Sequence, residues 1–479
     1  MGSQRKDNRM KNKINIREQM FLQRENKELF EMAKSYAYTY MEKINERPVF
    51  PSEKSIQQLS VFDEPLPEKS CNPNEILNLL HQYGSPATVA QAGGRYYGFV
   101  NGNSIPVALA VKWLSDIWDQ NCALYLMSPI VSRLEAVCEK WLKELFGLPS
   151  GTVAGLVSGT SIATLCGIAA ARNEILRRQG WDIHLKGLFG APPIRIVIGK
   201  QAHASVIKAL SLLGFGKEQI EQAPVDSEGR MDADKLPWLD EKTMVILQAG
   251  NVNSGSFDPF VKICNQANHA GSWIHIDGAF GLWAAVSHKK KFLTEGIEKA
   301  DSWSVDAHKT LNAPYDCGII LCKNREALAM AMHSSGSYIH YSEKRDGMLF
   351  TPEMSRRARA VELWATLKYL GRKGVEEIVD GLCDRAQQFS EQLSIAGFNI
   401  LNEVVFNQIL VSGSTAEETN ETLKHIQESG ECWCGGSIWN GEPVIRISVC
   451  SWATTAKDID RSVAAFIKAR ERYHINLKT

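Results

Sequence analysis

Between Gly151 and Phe280 the chain alternates short apolar runs with stretches of helical spacing. No other feature of its 479 residues restricts the fold as much. GTVAGLVSGTS reads as a strand entering a turn, and IATLCGIAAARNEILRRQ as a helix. RIVIGK, TMVILQAG and SWIHIDGAF are further strands, with ASVIKALSLLG and PFVKICNQANHAG as the helices between them. Such repetition places strands side by side and parallel, with helices on both faces. The predicted fold class is therefore α/β: a mostly parallel central sheet, an N-terminal helical arm and a small C-terminal α+β domain. The expected boundaries are 1–105 for the arm with an adjoining loop, 106–352 for the large domain and 353–479 for the small one.

The flanking segments fill in this plan. Leu22, Leu29, Ala33, Tyr36, Tyr40 and Ile44 share one stripe of a helix that Pro48 and Pro51 end. Residues 48–75 hold several prolines and little periodicity, and read as an extended connector. Helices are expected near Val107–Ser115, over Pro129–Phe146, and from Glu353 to Leu370. Gly371 and Gly374 interrupt the last of these before a second helix runs to about Ala396. FNILN, QILVSG, VIRISV and two helices complete the small domain.

Composition narrows the partners. Lysine and arginine (54) balance aspartate and glutamate (54), which argues against nucleic acid or an acidic membrane as a standing partner. No apolar run approaches the roughly 18–20 residues that cross a bilayer. The polar N-terminus lacks the apolar core of a secretory signal. Lys6 stands where a myristoylation signal beginning at Gly2 and Ser3 wants Ser or Thr. Eleven scattered cysteines point to reduced thiols and a cytoplasmic protein. Cys432 and Cys434 flank Trp433 as on a strand, with no second pair at zinc-ligand spacing, so no metal is expected.

The chemistry concentrates in ADSWSVDAHKTLNAPYDCG, Ala300 to Gly318. Lys309 directly follows His308 on a turn between two strand-like runs, and upstream WIHIDGAFG ends an apolar strand at Asp277. A lysine that can form an imine and an aspartate that can keep a ring nitrogen protonated are two parts needed to use pyridoxal phosphate as an electron sink. Asp277 would emerge at the carboxyl end of its strand, where open α/β sheets gather ligands. Enclosure would lower the pKa of Lys309 toward the neutral amine that the chemistry requires.

The Asp–x–Ala of Asp277 to Ala279, followed by Ser–x–x–x–His–Lys over Ser304 to Lys309, resembles the group II pyridoxal-dependent amino-acid decarboxylases. That group includes the glutamate, histidine and aromatic amino-acid decarboxylases. The resemblance runs from about Arg95 to Ile467. It implies a fold-type I homodimer that takes carbon dioxide from an L-amino acid with pyridoxal 5'-phosphate. It also implies roles. Lys309 carries the cofactor, Asp277 meets the pyridinium nitrogen, Ala279 lies against one ring face, and His203, in KQAHASVIKALSLLG, covers the other and can donate a proton. Thr160 and Ser161, in the SGTS turn, cradle the phosphate, with His308 and Ser304 as further donors. Asn251, in QAGNVNSGSFDP, takes the place of a threonine that contacts the aspartate or cofactor. Arg446, in PVIRISVCSWATT, binds a substrate carboxylate. Phe99, Asn101 and Asn103, in RYYGFVNGNSIPVAL, line the substrate pocket. HSSGSYIHYSEKRDGMLF resembles the mobile loop whose tyrosine returns a proton to Cα; Tyr341 is the candidate, with Tyr338 and His340 nearby.

The chain departs from the family pattern in places. Ser161-Ile162-Ala163-Thr164 replaces a common Thr–Glu–Ala–Asn. The mobile loop is short and sets no tyrosine in register. Asp306 stands where aromatic decarboxylases carry asparagine, and a carboxylate beside a phosphate is repulsive. Carbon–carbon lysis, transamination or oxidative decarboxylation could run on the same scaffold, and an inactive scaffold protein is the rival of another class. Tyr96, Tyr97, Phe99 and Trp118 suit an aromatic substrate or a core equally, so glutamate, aspartate, diaminobutyrate and aromatic amino acids all stay open.

Overall fold

The computed structural model describes residues 15–334, 336 and 341–476. Gly2, Ser3, Lys6, Tyr338 and His340 lie outside the described residues. The chain forms two compact units, Met1–Ala90 and Gln91–Thr479.

In the first unit the single expected N-terminal helix is two, α1 (Ile16–Glu25) and α2 (Lys27–Lys43). Asn26 sits between them in extended conformation and offers its side chain to Glu28 N, so one residue ends α1 and caps α2. The expected connector over 48–75 also holds structure: α3 (Glu53–Gln57), capped by Ser52, and α4 (Pro73–Leu79), capped by Asn72 with Pro73 in its first turn. These helices are too short to show periodicity, and only their capping residues signal them.

The second unit is built on a seven-stranded sheet: β1 (Val153–Val157), β2 (Arg195–Gly199), β3 (Ile220–Ala223), β4 (Thr243–Gln248), β5 (Trp273–Asp277), β6 (Ser302–Asp306) and β7 (Gly318–Cys322). The order is β1-β7-β6-β5-β4-β2-β3. Only β7 runs antiparallel to its neighbours. Every residue of β1, β4, β5, β6 and β7 is buried, as a sheet covered on both faces requires. The helices are α5 (Pro106–Trp118), α6 (Pro129–Phe146), α7 (Thr160–Arg178), the short α8 (Ile183–Lys186), α9 (Ala204–Leu212), α10 (Phe260–His269) and α11 (Arg325–Met332).

Two cores flank the sheet. Val131 and Leu142 of α6 and Ile263 of α10 pack with Ile274 and Ile276 of β5. Ile168 and Ile175 of α7 and Val206 of α9 pack on the other face with Trp273. Alternate residues of a strand face opposite ways. Asp277 therefore shares the α7 face with Trp273 and His275, and emerges at the edge where α7 begins.

The C-terminal part adds α12 (Ala360–Ile395), β8 (Asn399–Ile400), β9 (Gln408–Ser412), α13 (Ala416–Ser429), β10 (Gly435–Trp439), β11 (Glu442–Ser448) and α14 (Ala456–Asn476). Its sheet is antiparallel, in the order β10-β11-β9-β8. Helix α12 breaks at Gly371 (φ +58°) but not at Gly374, and it starts at Ala360 rather than Glu353. The preceding arginines are drawn into ion pairs instead, Arg356 with Glu135 and Arg359 with Asp316. Residues 91–105, expected with the arm, belong to the second unit. Tyr97 N donates to Trp433 O, Gly102 N to His308 O and Ile105 N to Asn312 O. Among the described residues no helix is long and apolar enough to cross a membrane.

Candidate active site

The parallel strands β5 and β6 pair Asp277 with Ser304. Their carboxyl ends deliver Asp277 and Asp306 to one edge, and the turn after β6 carries His308 and Lys309. Buried Asn312, in the left-handed region at φ +59°, locks this turn. Its amide donates to the carbonyls of Lys309, Thr310 and Cys450, and its Oδ1 accepts from Asn103 N and Trp452 N. Gly102 packs against the same turn so closely that a Cβ there would meet the carbonyl oxygens of Lys309 and His308.

Charges converge here. Lys309 Nζ lies 3.1 Å from Asp306 Oδ2, and His308 Nε2 lies 3.7 Å from the same oxygen. Asp306 Oδ1 accepts the Thr160 N–H at 2.7 Å, at the start of α7. Asp277 is buried and accepts from Ala279 N at 3.2 Å. Burial pushes its pKa up, against the pull of His203 and Lys309. His203 precedes α9 and caps it, Nδ1 accepting from Ser205 N. Its ring is solvent-accessible yet walled by protein. The resulting desolvation lowers its pKa, with Lys309 and Arg446 acting the same way and Asp277 opposing. His203 and Asp277 line one small cavity with Gln248 and Asp258.

The remaining candidates divide into two groups. Buried Thr160, Asn251 and partly buried Arg446 each hold a buried polar atom (Oγ1, Nδ2 and Nε) with no hydrogen-bond partner among the described residues. Arg446, on β11, donates to Val252 O at 3.1 Å, and burial lowers its pKa. Ala279 is partly buried and bridges β5 to β6, its carbonyl accepting from Asp306 N. His308 rests Nδ1 against the Cys317 backbone, and burial lowers its pKa. Phe99 is 61% exposed and stacks on Trp433, and Asn101 accepts from the Tyr315 hydroxyl.

Other side chains are already committed. The Ser304 hydroxyl is fully buried between Thr164 Oγ1 (2.8 Å) and His275 Nε2 (3.3 Å), so it ties α7 to the sheet instead of offering a free donor. Asn103 spends its amide on Ala92 O and Ser451 Oγ and so fastens its loop. Tyr341 donates to Ser334 O at 2.7 Å. Ser161 is exposed on the first turn of α7.

Side chains that the sequence pattern did not single out also enclose the site. Tyr315 stacks on His308 at 4.3 Å, and Trp433 stacks on Tyr96 at 5.3 Å. A bridge between segments far apart in sequence brings Trp433 to Tyr96, and no local motif reveals it.

Residues 67–411 match the family model described as the pyridoxal-dependent decarboxylase conserved domain. The chain belongs to this family. It is a pyridoxal-phosphate-dependent amino-acid decarboxylase, a carboxy-lyase. It is 26% identical to an aromatic-L-amino-acid decarboxylase of Bacillus atrophaeus over 443 residues, covering 88% of this chain and 90% of that one. It is 28% identical to an L-2,4-diaminobutyrate decarboxylase of Acinetobacter baumannii, covering 62% of this chain and 61% of that one. In fold it is similar to Oryza sativa TDC solved with PLP and tryptamine (TM-score 0.85, 19% identity, 93% and 97% of the two chains). Mouse CSAD is similar too (TM-score 0.84, 20% identity, 92% and 98%).

The residues present fit pyridoxal phosphate. Asp277 is a buried carboxylate that burial disfavours as an anion until a cation faces it, which a protonated ring nitrogen would do. Thr160 Oγ1, with the start of a 19-residue helix, suits a phosphate. Lys309 stands on the turn between these two groups.

Proposed function

We propose that this chain decarboxylates an L-amino acid in the cleft formed by Lys309, Asp277, His203 and Arg446. The observation that carries the assignment is the convergence, at one edge of the sheet, of the Lys309 turn after β6 and of Asp277 at the end of β5, a buried carboxylate that shares a cavity with His203 and lacks a cationic hydrogen-bond partner among the described residues.

Bound pyridoxal phosphate supplies an electron sink for the charge left when the bond from Cα to the carboxylate breaks. The chain's own groups do the rest. Lys309 would hold the cofactor covalently. Asp277 would face its ring nitrogen as a carboxylate, with Asn251 beside it. His203 and Ala279 would bracket the ring. Thr160, Ser161 and His308 would hold the phosphate with the α7 N-terminus. Arg446 offers a guanidinium fork to a substrate carboxylate. Too tight a grip on the departing carboxylate would stabilise the ground state and oppose its loss. Phe99 and Asn101, with Tyr96, Tyr315 and Trp433, wall the substrate side. For the proton that returns to Cα, Tyr341 is the side chain proposed, and it acts only after its hydroxyl leaves Ser334 O.

We further infer a cytoplasmic homodimer. All eleven cysteines are free, and ten of them are buried, which suits a reducing compartment. Trp113, Leu114, Ile117 and Trp118 of α5 are exposed together with Leu126, Met127 and Ile130, an apolar surface that a second copy would cover.

An amino-acid panel tests the function. The purified chain is loaded with pyridoxal phosphate, carbon dioxide is counted, and products are identified by mass spectrometry. The amine and carbon dioxide in equal amounts are expected from at least one L-amino acid. Keto acid, aldehyde or a carbon–carbon cleavage product without the amine would assign another reaction to the site.

A further inference from the structure

One carboxylate sits at the start of α7, where the reading above puts the cofactor phosphate. Asp306 is 2% exposed at the end of β6. Its Oδ1 takes the Thr160 N–H at 2.7 Å, the first N–H of α7. Its Oδ2 faces Lys309 Nζ at 3.1 Å and His308 Nε2 at 3.7 Å. Gly159 precedes α7, and a Cβ there would lie 3.7 Å from Asp306 Oδ1 and 3.6 Å from His308 Cε1. The carboxylate and the imidazole thus flank the helix entrance. Beside them Thr160 Oγ1 is buried without a partner among the described residues. Positive partial charge gathers at the start of a long helix, and an anion of either source is stabilised there.

We propose that Asp306 is an intramolecular competitor for the cofactor phosphate. It holds the α7 entrance and Lys309 in the cofactor-free chain and gives both up when the cofactor enters. The inference rests on the reading above that the phosphate lies at the start of α7. Its logic is charge against charge. The phosphate must take the Thr160 N–H from a carboxylate that cannot leave the site, because β6 fixes its backbone. The chain therefore binds its cofactor more weakly, and its cofactor-free form is more stable, than if residue 306 were neutral. Asparagine at this position keeps an acceptor for Thr160 N and drops the charge.

The test is equilibrium binding of pyridoxal phosphate, pyridoxal and inorganic phosphate to the full-length, cofactor-stripped protein, with thermal unfolding of the stripped and loaded forms. Asp306→Asn is expected to bind pyridoxal phosphate tighter by on the order of tenfold to a hundredfold, the range for removing one like charge a few ångströms away. It should also bind inorganic phosphate tighter, leave pyridoxal nearly unmoved, and lower the unfolding midpoint of the stripped form only. If Asp306→Asn does not fold, Asp306→Ser drops the same charge and must give the same pattern. Thr160→Val separates this inference from the reading beneath it. Loss of affinity for pyridoxal phosphate but not for pyridoxal in Thr160→Val places the phosphate at α7. With that result, unchanged or weaker cofactor binding by Asp306→Asn overturns the competitor role alone. Unchanged binding of both compounds by Thr160→Val, together with unchanged binding by Asp306→Asn, removes the phosphate from α7 and overturns both.

Discussion

Replacing Asp277 by asparagine separates the proposed ring-nitrogen partner from every other feature of the candidate site. The side chain keeps its shape and can still accept from Ala279 N. What it loses is the charge that faces His203 and Lys309 from within the buried end of β5. A buried hydrogen bond to a charged group contributes about 1.5–3 kcal/mol. That corresponds to roughly tenfold to 150-fold weaker binding of pyridoxal phosphate, since each 1.4 kcal/mol is about tenfold. Turnover should fall further, by on the order of 10²–10³, the scale for deleting one preorganised electrostatic partner of a developing charge. Stability of the cofactor-free chain should move the other way. A carboxyl whose folded pKa is raised destabilises the fold as pH climbs from the ordinary carboxylate range through the raised value. Asparagine removes that cost, so Asp277→Asn without cofactor is expected to unfold no earlier than the parent near neutral pH. Absorbance titration with the cofactor, carbon dioxide release and thermal unfolding give the three numbers. A cofactor affinity within twofold of the parent, together with full turnover, would refute the placement of Asp277 at the ring nitrogen.

Three further outcomes are expected. His275 is fully buried and its pKa falls to about 3, because burial disfavours the cation. Its folded pKa lies below the unfolded value of about 6.5, so stability present above pH 6.5 is lost as pH falls toward 3, by about 4–5 kcal/mol in all. His275→Asn should therefore flatten the acid limb of a stability–pH curve, and an unchanged limb would place the acid sensitivity elsewhere. Gly102→Ala would drive a Cβ into the Lys309 and His308 carbonyls, so it should shift the lysine turn and lower cofactor occupancy measured by absorbance. A fully loaded, equally active Gly102→Ala protein would contradict the close packing of that turn. Tyr341→Phe should slow amine release by about 10²–10⁴-fold if Tyr341 is the acid, and an unchanged rate would discard it.

Local signals explain which features were readable from the sequence. Helix α6 spans Pro129–Phe146, the range expected, because Pro129 opens it and Gly147 (φ +66°) closes it. Strands β1, β2, β4 and β5 were legible as apolar runs because both faces of the sheet are covered. β3 (IEQA) and β10 (GGSIW) were not, since a short edge strand and a glycine-rich one lack that composition. Asn26 hid a helix boundary that capping chemistry explains in retrospect.

At the site, Asp277 was legible because it ends an apolar strand, and Lys309 because it follows His308 between two such runs. The commitment of Ser304 and Asn103 was not legible. Strand parity can place Ser304 on the α7 face, but only long-range packing decides that Thr164 and His275 consume its hydroxyl. Trp433 and Tyr315 join the site through contacts between segments far apart in sequence, which no spacing rule reports.

Borohydride reduction of the cofactor-loaded protein, followed by peptide mapping, addresses the central assignment most directly. A phosphopyridoxyl group on the peptide containing Lys309, absent from Lys309→Ala, is the predicted result. A modified lysine elsewhere, or no stable adduct in a protein that still releases carbon dioxide, would contradict it.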